Sequence, residues 1–195
     1  GSTRLPGKVM RPVCGTPLIG LQLSRLQSLK SADEVIVAIP DNTSNRPLSK
    51  YLTELGYRVF LGNERDVLDR YYKASCHYNA DVIVRITADC PVIDPKIVDD
   101  VIAGYVNGNY DAYSLSGDFP DGLDCQVFRH SAIEKAWREA KLPSEREHIG
   151  VYIEKTHREL FILGELNKFK GLYHHRWTLD EPEDYDFLKK VFSKL

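Results

Sequence analysis

The chain begins with a glycine-containing stretch, GSTRLPGKV, that carries two cationic side chains. Glycine lets backbone N–H groups approach a phosphate closely, and arginine and lysine neutralise the charge of the phosphate. The stretch is not a P-loop, because its glycines are one residue too far apart and Val9 follows the lysine. The alternatives are a solvated basic loop or a cloning remnant that begins Gly-Ser. The candidate phosphate-binding residues are Gly1, Ser2, Thr3, Arg4, Gly7 and Lys8.

Two aspartates follow predicted strands and could hold a cation. Asp89 comes after an apolar run, in ITADCP, and Asp180 closes another run, in WTLDEPED. Ligands of open α/β sheets bind at the carboxyl ends of strands, and Mg²⁺ prefers carboxylate and phosphate oxygens. Each aspartate also has a structural explanation. Asp89 could end a strand before Pro91, and Asp180 could be a helix N-cap with Glu183 three residues on.

Three further polar segments have both a functional and a structural interpretation. The loop PDGLD, with Asp121 and Asp124, could hydrogen-bond a polyhydroxylated ligand or be a surface turn. Asp69 and Arg70 lie in a predicted helix, where acids and bases three to four residues apart usually form a solvated face. Arg146 lies in SEREH, which is typical of a capped helix start. The histidines lack HExxH spacing, and no GxSxG hydrolase motif is present.

The composition gives limited information about binding partners and the cellular compartment. The 195 residues are 43% hydrophobic and 28% charged, with a formal net charge of −2. This balance gives no whole-chain attraction to nucleic acid, so an anion site must be local. The four cysteines, at positions 14, 76, 90 and 125, form no CxxC pair, which argues against a structural zinc or a disulfide framework. We expect reduced thiols and a cytoplasmic protein, without a membrane-spanning segment or a secretory leader.

The candidate residues need a scaffold, and the apolar pattern indicates an α/β fold. Short apolar runs alternate with helical spacing over the first half of the chain, as in a mainly parallel sheet of βαβ units. The predicted strands are residues 34–39, 58–61, 81–87, 111–115, 125–128, 160–166 and 173–179. The predicted helices are residues 18–29, 46–55, 66–78, 131–141 and 144–156, with two more beginning near Pro95 and Pro182. No linker or repeat divides the chain, so we expect a single domain over residues 1–195.

Six segments carry a resemblance to a known group of enzymes. They are GSTRLPGKV, NERDVLDRYY, ADVIVRITADCPVIDP, FPDGLDCQVF, SEREHIGVYI and RWTLDEPEDY. In this order they resemble the spore-coat-polysaccharide branch of the CMP-sugar synthetases, which is similar to the CMP-KDO and CMP-sialic acid synthetases. The resemblance implies a three-layer α/β/α sandwich with a mainly parallel, mixed sheet, a GT-A-like Rossmann variant of the nucleotide-diphospho-sugar transferase type. A strand normally precedes the opening loop in this group, so we expect one before Gly1.

The resemblance also implies a Mg²⁺-dependent cytidylyltransferase. An oxygen of a sugar or sugar-acid acceptor would attack the α-phosphorus of CTP, and pyrophosphate would leave. Arg4 and Lys8 would hold the triphosphate and Asp89 and Asp180 would bind Mg²⁺, so Lys8, Arg4 and Asp89 are the implied catalytic residues. Such chemistry needs positioning and charge neutralisation rather than a protein nucleophile. The implied setting is the biosynthesis of a surface polysaccharide, and relatives are commonly dimers.

Other implied site residues lie on the nucleotide and acceptor sides. Asp69 and Arg70 match the nucleotide-side helix of the group. The group commonly has Glu at the position of Gln126 and a Thr-Pro pair at Gly150 and Val151. A neutral glutamine cannot act as a base, so these departures leave the identity of the acceptor open. The implied acceptor-side residues are Asp121, Asp124, Gln126, Arg146 and His148.

Two other classes of function stay open from the sequence. A GT-A-type glycosyltransferase would also use Mg²⁺ or Mn²⁺ at a strand end, but it would favour a DxD motif where this chain has Thr87-Ala88-Asp89. The opening Arg/Lys loop has no clear role in that chemistry. A non-catalytic partner in a glycan pathway is the third class, and the joint presence of Lys8, Asp89 and Asp180 argues against it.

Overall fold

The computed structural model describes Leu5, residues 7–168 and residues 171–194. Within these residues no helix is both long and apolar enough to cross a membrane. The strands are β1 (Pro12–Val13), β2 (Thr16–Pro17), β3 (Ile36–Pro40), β4 (Arg58–Gly62), β5 (Val82–Arg85), β6 (Ala112–Leu115), β7 (Gln126–Arg129) and β8 (Leu163–Leu166). The helices are α1 (Leu18–Leu26), α2 (Arg46–Glu54), α3 (Val67–His77), α4 (Pro95–Val106), α5 (His130–Glu139), α6 (Pro143–Glu147) and α7 (Pro182–Phe192).

β3 and β4 form a parallel pair joined through α2. Ile36 lies opposite Arg58 and Pro40 lies opposite Gly62. A parallel pair needs a crossover connection, and a helix supplies it here. Leu52 of α2 is fully buried and packs in the same core cluster as β3. The predicted βαβ unit over this part of the chain is confirmed.

The remaining long strands form a mixed sheet in the order β5–β7–β6–β8. β7 is antiparallel to both β5 and β6, whereas β8 is parallel to β6. Because β7 runs against β5, its first residue lies at the carboxyl end of β5, and Gln126 is opposite Arg85. Residues that follow β5 and residues that precede β7 therefore share one edge of the sheet.

Helices cover both faces of the mixed sheet. Successive strand residues point to opposite faces, and Val127 and Phe128 belong to different core clusters. Val127 packs in the cluster that contains Val98 of α4. Phe128 packs in the cluster that contains Leu68 of α3 and Ile133 of α5. This arrangement is the predicted α/β/α sandwich.

A third cluster attaches the ends of the described chain to each other. Leu5, Val13, Leu18, Leu179 and Leu188 are buried together. Leu18 begins α1, Leu188 lies in α7, and Leu179 lies just before α7. Burial of large aliphatic side chains stabilises such a cluster by about 1.5–3 kcal/mol per side chain. The cluster therefore fixes the segments that carry Lys8 and Asp180.

Two predicted elements differ in the structure. The predicted helix over residues 144–156 is interrupted, because α6 ends at Glu147 and a π-helical turn follows only at Tyr152–Thr156. Gly150, a poor helix former, lies between them. The predicted strand over residues 173–179 is wrong, since this segment makes one isolated bridge, between Asp121 and Arg176. The single-domain organisation and the strand expected before the first residue stay predictions.

Candidate active site

The ammonium group of Lys8 lies between two carboxylates from distant parts of the chain. Lys8 Nζ is 3.2 Å from Asp89 Oδ2 and 3.0 Å from Asp180 Oδ1. Asp89 follows β5 and Asp180 precedes α7. The Lys8 side chain is only 15% exposed. The structure thus brings together three residues that the sequence singled out for phosphate and metal binding.

Backbone hydrogen bonds hold the two aspartate segments against each other. Leu179 N donates to the carbonyl oxygen of Asp89 at 2.8 Å. Asp184 Oδ2 accepts from the N–H groups of Asp180 and of the next residue, each at 2.8 Å. Asp184, rather than the predicted Glu183, therefore satisfies the start of α7, and the N-cap is the residue after Asp180. The Asp180 side chain faces Lys8 through Oδ1, and its Oδ2 lies 3.7 Å from Arg176 Nη2.

Gln22 positions the Asp89 turn, although it is not among the residues predicted from the sequence. Gln22 is 3% exposed on α1, and its Nε2 donates to the carbonyl oxygens of Thr87, at 2.7 Å, and Cys90, at 3.1 Å. These carbonyl groups lie on either side of Asp89 in the chain. A buried amide must find partners, so a glutamine among the apolar residues of LIGLQLSRL was the available signal.

The surroundings of Asp89 favour its ionised form. Burial by itself would raise the pKa of Asp89, but a hydrogen bond from Thr87 and the charge of Lys8 hold the pKa below its ordinary value. The neighbouring Cys90 behaves differently, because burial raises the pKa of its thiol to about 12. A thiol with such a pKa is not a nucleophile at neutral pH. The site therefore offers a carboxylate and an ammonium group rather than a nucleophilic cysteine.

The donor set of the site fits a hard divalent cation. Asp89 and Asp180 both reach one ammonium nitrogen, so both can also reach one metal ion. Carboxylate oxygens suit Mg²⁺, which usually takes one or two carboxylates together with phosphate oxygens and water. Over the described ranges, no cluster of three or more His, Cys, Asp or Glu side chains has metal-binding geometry. Mg²⁺ bound at these two aspartates would therefore depend on the substrate and water for its other ligands.

The loop with Asp121 and Asp124 lies near the same edge of the sheet. Asp121 N donates to the carbonyl oxygen of His175 at 3.0 Å, and Trp177 N donates to that of Asp121 at 2.6 Å. Burial raises the pKa of Asp121, and the nearby charges of Asp124 and Asp180 raise it further. The loop therefore lies within electrostatic reach of Asp180, and the bridge between Asp121 and Arg176 holds it beside the segment that carries Asp180. The role of both aspartates toward an acceptor stays a prediction.

Asp69 and Arg70 are engaged within the protein near an open cleft. Asp69 Oδ1 accepts from Trp137 Nε1 at 2.8 Å, and Asp69 Oδ2 is 2.9 Å from Lys73 Nζ. Arg70 Nη1 donates to the carbonyl oxygen of Asn63. Asp69, Lys73 and Asn63 line a cleft of about 470 Å³. Another cleft, of about 720 Å³, lies against α2 and contains none of the predicted site residues. A nucleotide-binding role for Asp69 and Arg70 stays a prediction.

Arg146 is bound to residues other than those of the Lys8 contact, and in the described part of the chain no hydrogen bond or ion pair joins it to Lys8, Asp89 or Asp180. Arg146 Nε and Nη2 donate to Asp66 Oδ2 at 2.8 and 2.5 Å, and Nη1 donates to the carbonyl oxygen of Trp137 at 2.7 Å. Arg146 therefore links α6 to the start of α3 and to α5. His148 is exposed just past α6. The proposed contacts of both residues with an acceptor stay predictions.

Gln126 forms hydrogen bonds with two charged side chains, one on each side of its amide. Gln126 Oε1 accepts from Arg85 Nη1 at 2.7 Å, and Gln126 Nε2 donates to Glu154 Oε2 at 2.7 Å. Gln126 was predicted from the sequence as a site residue, but neither of its partners was. Arg85 could have been noticed as the charged residue inside the apolar run VIVRI. Glu154 gave no separate signal, because helical spacing does not reveal a π-helical turn.

Part of the opening loop falls outside the described residues. Gly1, Ser2, Thr3 and Arg4, all predicted to bind phosphate, belong to that part. Gly7 has a φ of 65°, in the left-handed region that glycine adopts without steric cost. It lies just before the short 3₁₀ turn Lys8–Met10. The glycine therefore sets the direction in which the chain presents Lys8.

Comparison with known proteins gives matches over almost the whole chain. Residues 1–193 match the profile of the protein family described as Cytidylyltransferase. An uncharacterized protein of Methanocaldococcus jannaschii is 38% identical over 189 residues, which cover 95% of this chain and 76% of that protein. The spore coat polysaccharide biosynthesis protein SpsF of Bacillus subtilis is 31% identical over 202 residues, covering 100% of this chain and 83% of that protein.

A solved structure has the same fold. The structure of a cytidylyltransferase from Leptospira borgpetersenii matches with a TM-score of 0.95 and 34% sequence identity, covering 100% of this chain and 83% of that chain. The match confirms the α/β fold predicted from the sequence. With the family profile, it shows that the chain belongs to the cytidylyltransferase family and is a nucleotidyltransferase.

Proposed function

We propose that this nucleotidyltransferase transfers CMP from CTP to a sugar or sugar-acid acceptor in a Mg²⁺-dependent reaction that releases pyrophosphate. The observation that carries the proposal is the contact of Lys8 with both Asp89 and Asp180. A lysine and two carboxylates at the carboxyl end of β5 match the needs of a triphosphate that arrives with a divalent cation. Membership of the cytidylyltransferase family supports CMP as the transferred group.

The proposed reaction exchanges one bond at the α-phosphorus of CTP. The acceptor oxygen forms a bond to this phosphorus, the bond from phosphorus to the bridging oxygen of pyrophosphate breaks, and the acceptor proton passes to solvent. Lys8 would move from the carboxylates to phosphate oxygens and neutralise their charge there. Asp89 and Asp180 would hold Mg²⁺, which supplies further charge neutralisation when bound. Gln22 would keep the Asp89 turn in place.

The setting of the reaction is also part of the proposal. The Bacillus subtilis relative is named for spore coat polysaccharide biosynthesis, which supports a product used in a surface polysaccharide. We place the reaction in the cytoplasm, where CTP is available, and expect a homodimer. Asp121 and Asp124 would contact the hydroxyl groups of the acceptor, because their loop lies at the same sheet edge as Asp89.

Nucleotide binding tests the proposal before any acceptor is known. Isothermal titration with CTP, ATP, GTP and UTP, each with and without Mg²⁺, should show Mg²⁺-dependent binding of CTP. Lys8→Ala and Asp89→Ala should each weaken CTP binding at least tenfold, since each removes a charged contact. Lys50→Ala is the matched control, because the Lys50 side chain is 78% exposed and pairs only with Glu54 among the described residues.

A different binding pattern would replace the proposal with the glycosyltransferase alternative. That result is binding of a nucleoside diphosphate sugar with Mn²⁺ and no binding of CTP. In that case the phosphate-binding role of Lys8 would also be wrong. Release of pyrophosphate from CTP on addition of an acceptor would exclude both the glycosyltransferase and the non-catalytic partner.

A further inference from the structure

Arg176 contacts both the proposed metal ligand Asp180 and the start of α7. Its Nη2 lies 2.6 Å from Asp184 Oδ2 and 3.7 Å from Asp180 Oδ2. Its Nε donates to the hydroxyl oxygen of Thr178 at 3.1 Å, and Thr178 is buried. The Arg176 side chain is 44% exposed, but these contacts fix its orientation at two of its nitrogen atoms.

The two carboxylate oxygens of Asp180 face different cations. Oδ1 lies 3.0 Å from Lys8 Nζ, and Oδ2 faces the guanidinium group of Arg176. Because both cations attract the same carboxylate, the positions of Lys8 and Arg176 together set the direction in which each oxygen points. Asp89 also reaches Lys8 Nζ. Oδ1 is therefore the Asp180 oxygen nearer to the proposed metal position, and Oδ2 lies on the Arg176 side.

Asp184 holds Arg176 against the backbone that carries Asp180. Asp184 Oδ2 accepts from the N–H groups of Asp180 and Glu181, each at 2.8 Å, and the same oxygen binds Arg176. The Asp184 side chain is only 14% exposed, so solvent screens these charge-assisted contacts little. Arg176 is thus held by a partner other than the carboxylate of Asp180.

The backbone of Arg176 is held as well. Asp121 N donates to the carbonyl oxygen of His175 at 3.0 Å, and Trp177 N donates to that of Asp121 at 2.6 Å. These two hydrogen bonds form the bridge between Asp121 and Arg176. Because side chain and backbone are both held, the guanidinium group stays beside Asp180 Oδ2 when the ammonium group of Lys8 moves to a phosphate.

Mg²⁺ and Ca²⁺ use a carboxylate differently. Mg²⁺ requires near-octahedral geometry and usually takes one or two carboxylates together with water and phosphate oxygens. Ca²⁺ accepts a larger number of oxygens, and one carboxylate can supply both of its oxygens to it. A guanidinium group beside Oδ2 repels a cation that approaches this oxygen. The same guanidinium group leaves Oδ1 to an ion that needs only one oxygen from Asp180.

We propose that Arg176 determines which divalent cation the site accepts, because it keeps Asp180 Oδ2 from the ion and so favours Mg²⁺ over Ca²⁺. The proposal rests on the proposed Mg²⁺ site at Asp89 and Asp180 and assigns a selectivity to that site. Arg176 is a positioning residue, since it acts on the ion through Asp180. Asp184 and the Thr178 hydroxyl hold the guanidinium group in place for this role.

Competition for Mn²⁺ measures the selectivity without turnover. The electron paramagnetic resonance signal of free Mn²⁺ reports binding to the intact chain, and Mg²⁺ or Ca²⁺ is then added to displace the ion. Loss of Mn²⁺ binding in Asp180→Asn identifies the site. Arg176→Gln should lower the ratio of Mg²⁺ affinity to Ca²⁺ affinity about tenfold, because Asp180 can then offer both oxygens. An unchanged ratio, or full Mn²⁺ binding in Asp180→Asn, would overturn the proposal.

Lys8→Ala separates selectivity from the simple removal of a charge. Lys8 faces Oδ1 of Asp180, whereas Arg176 faces Oδ2. Loss of either cation should raise the affinity for all three ions, but only Arg176→Gln should change the ratio between Mg²⁺ and Ca²⁺. An equal change of this ratio in Lys8→Ala would contradict the proposal. Arg138→Gln is the matched surface control, because Arg138 is 65% exposed and pairs with Glu134 on its own helix.

A purely structural role of Arg176 predicts a different result. Arg176→Gln removes the contact with Asp184, and urea unfolding measures the resulting loss of stability. Arg176→Lys keeps a positive charge near Asp180 Oδ2, so it should restore most of the wild-type ratio even where it does not restore stability. A loss of stability in both variants with an unchanged ratio would mean that Arg176 only supports the start of α7.

CTP binding distinguishes failure of this proposal from failure of the proposed function. A ratio that depends on Arg176 in a protein that binds no CTP would keep the metal selectivity and reject the transfer of CMP from CTP. Mg²⁺-dependent CTP binding with equal ratios in Arg176→Gln and the wild type would reject the selectivity alone. If Mn²⁺ binds only with CTP, the competition is repeated at saturating CTP, and absence of displaceable Mn²⁺ there overturns the proposal.

Discussion

At the scale of single residues, the ammonium of Lys8 occupies a position that a divalent cation would compete for. Removal of Lys8 should free Asp89 and Asp180 and also remove a phosphate contact. Lys8→Ala should therefore bind Mn²⁺ several-fold more tightly than the wild type without nucleotide, although it binds CTP less tightly. Titration with Mn²⁺ alone, and then with CTP, measures both effects. Lower or equal affinity for Mn²⁺ in the variant would show that Lys8 does not compete with the ion.

Gln22 has a positioning role that can be measured as stability. Gln22→Leu would remove the two hydrogen bonds that Gln22 donates to the carbonyl oxygens of Thr87 and Cys90, although each oxygen keeps a backbone donor. The loss of two hydrogen bonds should lower the free energy of unfolding by about 1–3 kcal/mol. Urea unfolding compares this variant with Gln27→Leu, which changes an exposed glutamine of the same region. A loss of the same size in both variants would mean that the two carbonyl contacts contribute nothing specific.

At the scale of elements, the loop that carries Asp121 and Asp124 depends on one close approach of two backbones. Gly122 has a φ of 107°, and a Cβ there would lie 2.7 Å from the Trp177 carbonyl carbon. Backbone cannot yield as a flexible side chain does, so Gly122→Ala should displace Asp121 and Asp124. We expect the acceptor KM to rise at least tenfold while CTP binding, measured by isothermal titration, is kept. Gly117→Ala is the control, since nothing lies within 4 Å of a Cβ there, and an equal effect in both variants would contradict the prediction.

The sequence was informative about elements whose apolar pattern matches their burial. The strand that leads to Asp89 and the segment that leads to Asp180 could be placed at one sheet edge because strand ends bind ligands in α/β folds. Residues 173–179 alternate like a strand, but their partner is the loop at Asp121, and the periodicity of a segment does not reveal its partner. The contact between Gln126 and Glu154 joins residues 28 apart through a π-helical turn, which no local pattern encodes.

At the scale of the whole molecule, two glutamates give opposite contributions to stability as the pH changes. Burial would raise the pKa of Glu145, but hydrogen bonds from the Leu142 and Lys141 N–H groups and the Thr156 hydroxyl hold its pKa below the ordinary value. Burial raises the pKa of Glu154, and the Gln126 amide offsets only part of that rise. A lowered pKa adds stability above the unfolded-state pKa, and this stability is lost as the pH falls through the folded-state pKa. A raised pKa costs stability at neutral pH, and protonation removes that cost.

Amide substitutions of the two glutamates should therefore give opposite pH profiles. Glu145→Gln should lower the free energy of unfolding by about 1–3 kcal/mol at pH 7, because ionised acceptors make the stronger hydrogen bonds. This deficit should shrink as the pH falls below the ordinary pKa of a glutamate. Glu154→Gln should equal or exceed the wild type in stability at pH 8, because its neutral amide avoids the burial of a charge, and the gain should vanish as Glu154 becomes protonated. Urea unfolding of both variants at pH 8, 6 and 4 tests this prediction. Parallel pH profiles of stability would mean that the two environments do not shift the pKa values of Glu145 and Glu154 in opposite directions.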